Sequence, residues 1–221
     1  MTTTSPAQRS NLVKHIEGFA EQRLIRPDTD LDNTLSKSRA SSLPDIAISP
    51  MQGQYLSILC QLTKSQRVLE VGTLGGYSTM WFAKAGAQVT SIELNPKHRD
   101  VALENLHAAG LDADILLGAA LDVLPNLNSE GKQFDFVFID AAWGEQWDYF
   151  DWAVKLVKKG GSIYVDNVVQ SMLRHDAGED SLLARVGRDA RVTATMVPTL
   201  SSHKAPGDDA FVDGFLLAVR L

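Results

Sequence analysis

Four apolar runs of this chain end in residues that do chemistry. They are EVGTLGGYS (70–78), SIELNP (with Glu93), FDFVFID (with Asp140) and GSIYVDN (with Asp166 and Asn167). Glycine lets a backbone turn tightly and approach a ligand that any Cβ would push away, a use open to Gly72, Gly75 and Gly76. The string is not the G-x-G-x-x-G of dinucleotide enzymes: Thr73 stands where the second glycine would be, leaving less clearance for a pyrophosphate. It fits a cofactor without a pyrophosphate, or a turn that needs glycine only for its shape. Glu93 lies 21 residues after Gly72, where a strand-end carboxylate accepts hydrogen bonds from both hydroxyls of a ribose. Its competing role is a carboxylate favouring the dipole of the helix that starts near Pro96. Asp140, Asp166 and Asn167 offer two carboxylates and an amide oxygen. On adjacent strands they would share one sheet edge and, with water, suit octahedral Mg²⁺ or Mn²⁺. Taken singly, they would be the Asx caps common at strand ends.

Residues so far apart meet only on a framework of strands. From Gln66 the short β-type runs RVLEV, VTSIE, ADILLG, FDFVFID and GSIYVDN alternate with helical stretches over YSTMWFAKA, 96–109, ALDVLPNL and 145–157. Such alternation predicts a parallel sheet covered on both faces, with ligands beyond the carboxyl ends of its strands. After a helix around 181–190, RVTATMVP and DGFLLAVRL are expected to pair as an antiparallel hairpin across the polar SSHKAPGDDA. Ahead of the sheet, helical spacing over 7–23, a short helix before Pro44 and a helix opened by Pro50 predict a cover. The expectation is α/β: a doubly wound, mostly parallel seven-stranded sheet with a C-terminal antiparallel hairpin, in one domain over 1–221. Residues 1–50 would be the N-terminal helical cover and 51–221 the core.

The bulk properties remove several functions. A net charge of −6 offers no basic field for nucleic acid or anionic lipid, and neither is expected as a partner. No apolar run approaches the roughly 18 residues that span a bilayer, and MTTTSPAQRSN lacks the features of a secretory signal. One cysteine, Cys60 in an apolar run, gives no internal disulfide and reads as a buried thiol, so a cytoplasmic setting is expected.

In this order and spacing, EVGTLGGYS, SIELNP, GAALDVLP and FIDAAW resemble the class I S-adenosylmethionine-dependent methyltransferases. AISPMQGQYL upstream, with YVDNVV and DGFLLAVRL downstream, narrows the resemblance to the cation-dependent O-methyltransferases, which include the catechol and caffeoyl-CoA enzymes. It extends over about 46–221, more loosely before that. It implies a Rossmann-like methyltransferase fold and S-adenosyl-L-methionine as cofactor. Gly72 and the loop after it would contact the methionine part, Ser78 its carboxylate, Glu93 the ribose, and Ala120 and Leu121 the adenine. Glu70, Thr73, Gly76, Tyr77, Asp140 and Trp143 would complete the cofactor pocket. Asp140, Asp166 and Asn167, separated by 26 and 27 residues, match the metal triad of the family, with Asp140 also counted as catalytic. A cation there lowers the pKa of a phenol, near 10 when free, and two adjacent hydroxyls could chelate it. The implied partner is a small aromatic hydroxyl compound of catechol type, and the implied assembly a homodimer.

One position departs from the pattern. Three residues after the strand-end Asp the family commonly has a lysine as general base; here Trp143 stands there, and no lysine occurs before Lys155. His175, expected in a loop, is the alternative base, since histidine titrates in the useful range. Ala119 replaces an acidic residue common beside the adenine. The substrate wall is expected from 35–48, 168–179 and 203–211, with Lys37, Arg39, Trp147, Tyr149, Met172 and Arg174 nearby. Other readings are a metal-independent O-, N- or C-methyltransferase, a nicotinamide-dependent oxidoreductase, and a binding protein that has lost its base.

Overall fold

The computed structural model describes residues 6–175, 178–201, 203 and 211–221. Three helices precede the sheet: α1 (Pro6–Leu24), α2 (Thr29–Ala40) and α3 (Pro50–Thr63). Then come β1 (Arg67–Val71), α4 (Tyr77–Lys84), β2 (Gln88–Glu93), α5 (Pro96–Ala108), β3 (Asp114–Leu117), α6 (Ala120–Ser129) and β4 (Phe134–Ile139). A 3₁₀ turn (Trp143–Glu145) leads into α7 (Gln146–Leu156), followed by β5 (Val157–Val165), α8 (Val168–His175) and α9 (Leu182–Gly187). β6 (Val192–Ser201) and β7 (Phe211–Arg220) close the fold. Local chemistry starts several of the helices. Asp28 accepts from the Asp30 and Leu31 amides at α2, Ser49 from Gln52 at α3, and Asn95 from Lys97 at α5. Pro50 and Pro96 each sit in a first turn, where no backbone donor is missed. Among the described residues no helix is long and apolar enough to cross a membrane.

The strands form one sheet in the order β3-β2-β1-β4-β5-β7-β6. β1 to β5 run parallel, and β7 is antiparallel to both β5 and β6. The chain builds outward from β1 to β3, then returns to place β4 on the other side of β1. Strand order thus reverses between β1 and β4, where an open α/β sheet has its crevice. Alternation along the strands divides the core. Leu69, Val71, Val137 and Ile139 face α6 and α7, while Val68, Phe136, Phe138 and Tyr164 face α3, α4 and α5. Rings tie the hairpin to that second face: Tyr164 and Phe215 stack with centroids 4.4 Å apart.

Two expectations need correction. The segment after Asn167, expected as loop through 179, is helical over Val168–His175. Its start is fixed from far away in the chain, because the Gln170 amide donates to the Asp213 carboxylate at 3.1 Å and the Ser171 amide to the Asn167 carbonyl at 2.8 Å. β5 also begins earlier than GSIYVDN, at Val157, with a register shift against β4 between Phe134 and Phe136. Gly161 lies in that irregular stretch, where a Cβ would meet the Asp135 carbonyl at 2.7 Å.

Candidate functional site

Parallel pairing carries the ends of four strands to one edge. Val71 pairs with Ile92 and Ile139, and Ile139 with Val165, so Gly72, Glu93, Asp140 and Asp166 follow side by side. Antiparallel pairing of Val165 with Leu216 brings the start of β7, and Asp213, to the same edge. Here a cavity of about 1240 Å³ opens. Single small-molecule sites run about 300–1,000 Å³, so this one has room for two ligands together.

One half of the cavity is built on the loop after β1. Gly72 has φ +98°, and a Cβ on it would lie 2.0 Å from the Asp140 carbonyl oxygen. The loop therefore abuts the next strand end with no side chain between them. Leu74 is also left-handed (φ +52°), and Gly75 is bedded on α2, where a Cβ would stand 2.1 Å from the Ser38 hydroxyl. Glu93 ties this loop down. Its Oε2 accepts from the amides of Thr73 (3.2 Å) and Leu74 (2.8 Å), and its Oε1 from the Asn95 amide (2.8 Å). His98 Nδ1 stands 3.5 Å from Oε1. A carboxylate offers about four acceptor sites, so Glu93 keeps capacity for a further hydroxyl on the cavity side.

Behind the loop lies a buried polar chain. Alternation turns Glu70 toward α4, where it accepts from the hydroxyls of Ser78 (2.5 Å), Ser91 (2.6 Å) and Thr79. Ser91 spends its proton on Glu70, so it must accept from Thr73 Oγ1 at 2.5 Å. Burial pushes the Glu70 carboxyl up to about 7 against the pull of these donors. The start of α4 has no side-chain cap: Gly76 sits at the cap with φ +81°. Its first-turn amides are thus free to meet an anion.

The other half holds the acids. Asp166 receives Gln52 Nε2 on Oδ2 and Gln146 Nε2 on its carbonyl, both at 2.8 Å. Burial, and then the charge of Asp140, push the Asp166 carboxyl up to about 8. Asn167 takes a left-handed backbone (φ +55°) and gives its side-chain amide to Asp213 Oδ2 at 2.8 Å. Among the described residues no three His, Cys, Asp or Glu side chains gather as metal ligands. The strand ends instead bring Asp140, Asp166 and Asn167 to the wall of one cavity, with two carboxylates and one amide oxygen among their side-chain groups. An all-oxygen set whose acids repel one another fits a hard divalent cation, which would remove the repulsion.

At the position of the missing lysine, the Trp143 ring lies under the Arg174 guanidinium at 4.7 Å, and both face the cavity. Beyond it Tyr149 donates its hydroxyl to Glu145. Ile48 just ahead of α3, Met51 and Tyr55 on α3, and Val197, Leu200 and Phe215 of the hairpin make an apolar wall.

Of the residues singled out from the sequence, Gly72, Thr73, Tyr77, Ser78, Glu93, Ala120, Asp140, Trp143, Asp166 and Asn167 line this cavity. Glu70, Gly76 and Leu121 do not. Glu70 is fully buried behind Ser78, Gly76 packs on Ala102, and Leu121 packs into the core under the sheet. Ser78 spends its hydroxyl proton on Glu70, so a carboxylate would meet its backbone amide instead. His175 ends α8, and its side chain lies outside the described ones. Around the substrate side Tyr149 and Arg174 face the cavity, whereas Lys37 pairs with Glu104 at 2.7 Å and Met172 joins the core. Gln52, Gln146 and Asp213 escaped the sequence reading. Only the pairing of distant strands brings them in, although DGF opening the last apolar run was a usable hint for Asp213.

Residues 28–199 match the family model described as O-methyltransferase. A catechol O-methyltransferase of Niastella koreensis is 41% identical over 212 residues, covering 90% of this chain and 96% of that protein. A catechol O-methyltransferase of Mycobacterium tuberculosis is 38% identical over 216 residues, covering 92% and 94%. Among solved structures, an O-methyltransferase from Bacillus cereus in complex with S-adenosylhomocysteine superposes with a TM-score of 0.84 at 32% identity, covering 96% and 100%.

Proposed function

The chain belongs to the O-methyltransferase family, and from that premise we propose that it methylates a hydroxyl of a small aromatic molecule from S-adenosylmethionine, assisted by a divalent cation. The observation that carries the reading is the abutment of Gly72 on the Asp140 carbonyl, which sets the cofactor cradle directly against the pair of acids. The reaction forms an O–CH₃ bond, breaks an S–CH₃ bond, and releases S-adenosylhomocysteine and the hydroxyl proton.

In this reading Glu93 accepts from one ribose hydroxyl at its remaining acceptor site, and the open amides of α4 receive the amino-acid carboxylate. Ala119 and Ala120 offer the adenine an apolar floor. Asp140, Asp166 and the Asn167 amide oxygen would hold the cation. A divalent cation, when bound, lowers the pKa of a phenolic hydroxyl toward neutrality and fixes its place beside the methyl donor. Trp143 is a donor only and takes no proton, so this chain leaves the ionisation to the acid-lined half of the site. The apolar wall excludes water from the ring, and two adjacent hydroxyls would satisfy the cation better than one. Arg174 is the only Lys or Arg among the described residues facing the cavity, which favours an acidic substituent on the ring.

The test is methyl transfer from labelled S-adenosylmethionine to catechol, 3,4-dihydroxybenzoate and phenol. Turnover of the two vicinal diols and not of phenol is expected. Arg174→Ala should raise KM for the acid about tenfold and leave KM for catechol within about twofold, as for loss of one charge-assisted contact. Phenol turned over as fast as catechol would overturn the vicinal-diol reading.

A further inference from the structure

We propose that Asp213 is a positioning residue for the cation site: from the antiparallel strand β7 it dictates which atom of the Asn167 amide is free to meet the metal. The inference rests on the cation reading above. The Asn167 side-chain nitrogen donates to Asp213 Oδ2 at 2.8 Å, so the nitrogen is the end of the amide turned toward β7. The amide oxygen is then the group Asn167 has left to offer, and oxygen is the donor a hard cation takes. Without that acceptor the amide can turn over and present N–H groups to a cation, which repel it.

The arrangement around this contact is built for the purpose. Asp213 is buried (8% exposed), and its Oδ1 accepts from the Gln170 amide at 3.1 Å and its own neighbour's, Gly214, at 2.8 Å. The same carboxylate therefore starts α8 and fixes the amide one residue before that helix. Asn167 itself is held left-handed (φ +55°), a conformation Asn tolerates better than most residues. Gly214 leaves room for the crossing, since a Cβ there would lie 2.7 Å from the Val197 carbonyl. Outer partners of this kind commonly change metal affinity 10- to 100-fold when removed.

The experiment measures Mn²⁺ affinity of the unreacted protein, with S-adenosylhomocysteine bound, by calorimetry and electron paramagnetic resonance. Asp213→Asn is expected to weaken Mn²⁺ binding 10- to 100-fold while S-adenosylhomocysteine binds within about twofold of wild type, which also reports an intact fold. Loss of one nearby negative charge would weaken the cation too, so a second variant separates the causes. Asn167→Asp sets two carboxylates against each other; adding Asp213→Asn then supplies the donor that the new acid needs. With Asp at 167 either side-chain atom is oxygen, so positioning requires the 10- to 100-fold effect of Asp213→Asn to shrink to within about threefold, or to reverse, in the Asn167→Asp background, whereas a pure charge effect requires the full loss to persist there. A loss that persists undiminished in the Asn167→Asp background, or Asp213→Asn within threefold of wild type, overturns the inference with the cation reading intact. A wild-type protein that takes up no Mn²⁺ overturns the cation reading first.

Discussion

Asp166→Asn is expected to lower kcat/KM at least about 10³-fold while making the metal-free protein more stable above neutral pH. The substitution keeps the shape of the side chain and removes one of two acids held at the same strand ends, so a cation loses both charge and an oxygen ligand. The gain in stability has the opposite origin. Burial and the charge of Asp140 push the Asp166 carboxyl up to about 8, far above its ordinary 3.8. A group raised in this way contributes stability that is full below pH 4 and lost as pH rises through about 8. In EDTA the wild-type melting temperature should therefore fall across that window by the equivalent of a few kcal/mol, and the variant should fall less. Mg²⁺ should restore the wild type and leave the variant unchanged. Thermal scans from pH 5 to 9, with and without Mg²⁺, read both effects; a variant that melts below wild type at pH 9 in EDTA would refute the account of repelling acids.

Gly72→Ala should nearly abolish S-adenosylhomocysteine binding and cost about 3 kcal/mol or more. Two penalties combine: a left-handed φ of +98° that L side chains rarely adopt, and a Cβ 2.0 Å from a backbone oxygen that has no rotamer to escape into. Asp140 or the loop must move, and either movement separates the cofactor cradle from the acids. For a chain of this size the cost corresponds to a fall of about 6–12 °C in melting temperature. Gly187→Ala, with nothing within 4 Å of the added methyl, is the matched control and should stay within about 1 kcal/mol. A Gly72→Ala protein that melts and binds like wild type would remove the argument for close approach.

Much of this was written locally. RVLEV, VTSIE and FDFVFID are short apolar runs between turn signals, and Ser49-Pro50 and Asn95-Pro96 announce helix starts by side-chain chemistry alone. Strand ends then marked Gly72, Glu93, Asp140, Asp166 and Asn167 as candidates, and the family resemblance chose among the roles each could play. What stayed hidden depends on contacts between distant residues. The helix over Val168–His175 is started by a carboxylate on β7, and no pattern within the segment carries that signal. Glu70 was expected at the cofactor because it opens the EVGTLGGYS motif of the resemblance. The alternation of β1 instead turns it beneath α4, where three hydroxyls satisfy it. Trp143 broke the family's lysine pattern in plain view, but its Arg174 neighbour comes from the helix that the sequence did not disclose.

The most direct test of the central claim is methyl transfer to catechol by metal-stripped protein, followed through EDTA treatment and Mg²⁺ titration, with S-adenosylhomocysteine binding measured in parallel. The account predicts that turnover vanishes in EDTA, returns in proportion to Mg²⁺ bound, and that cofactor affinity changes little throughout. Turnover that persists at full rate in the stripped protein would contradict it and leave Asp140, Asp166 and Asn167 without the role assigned to them.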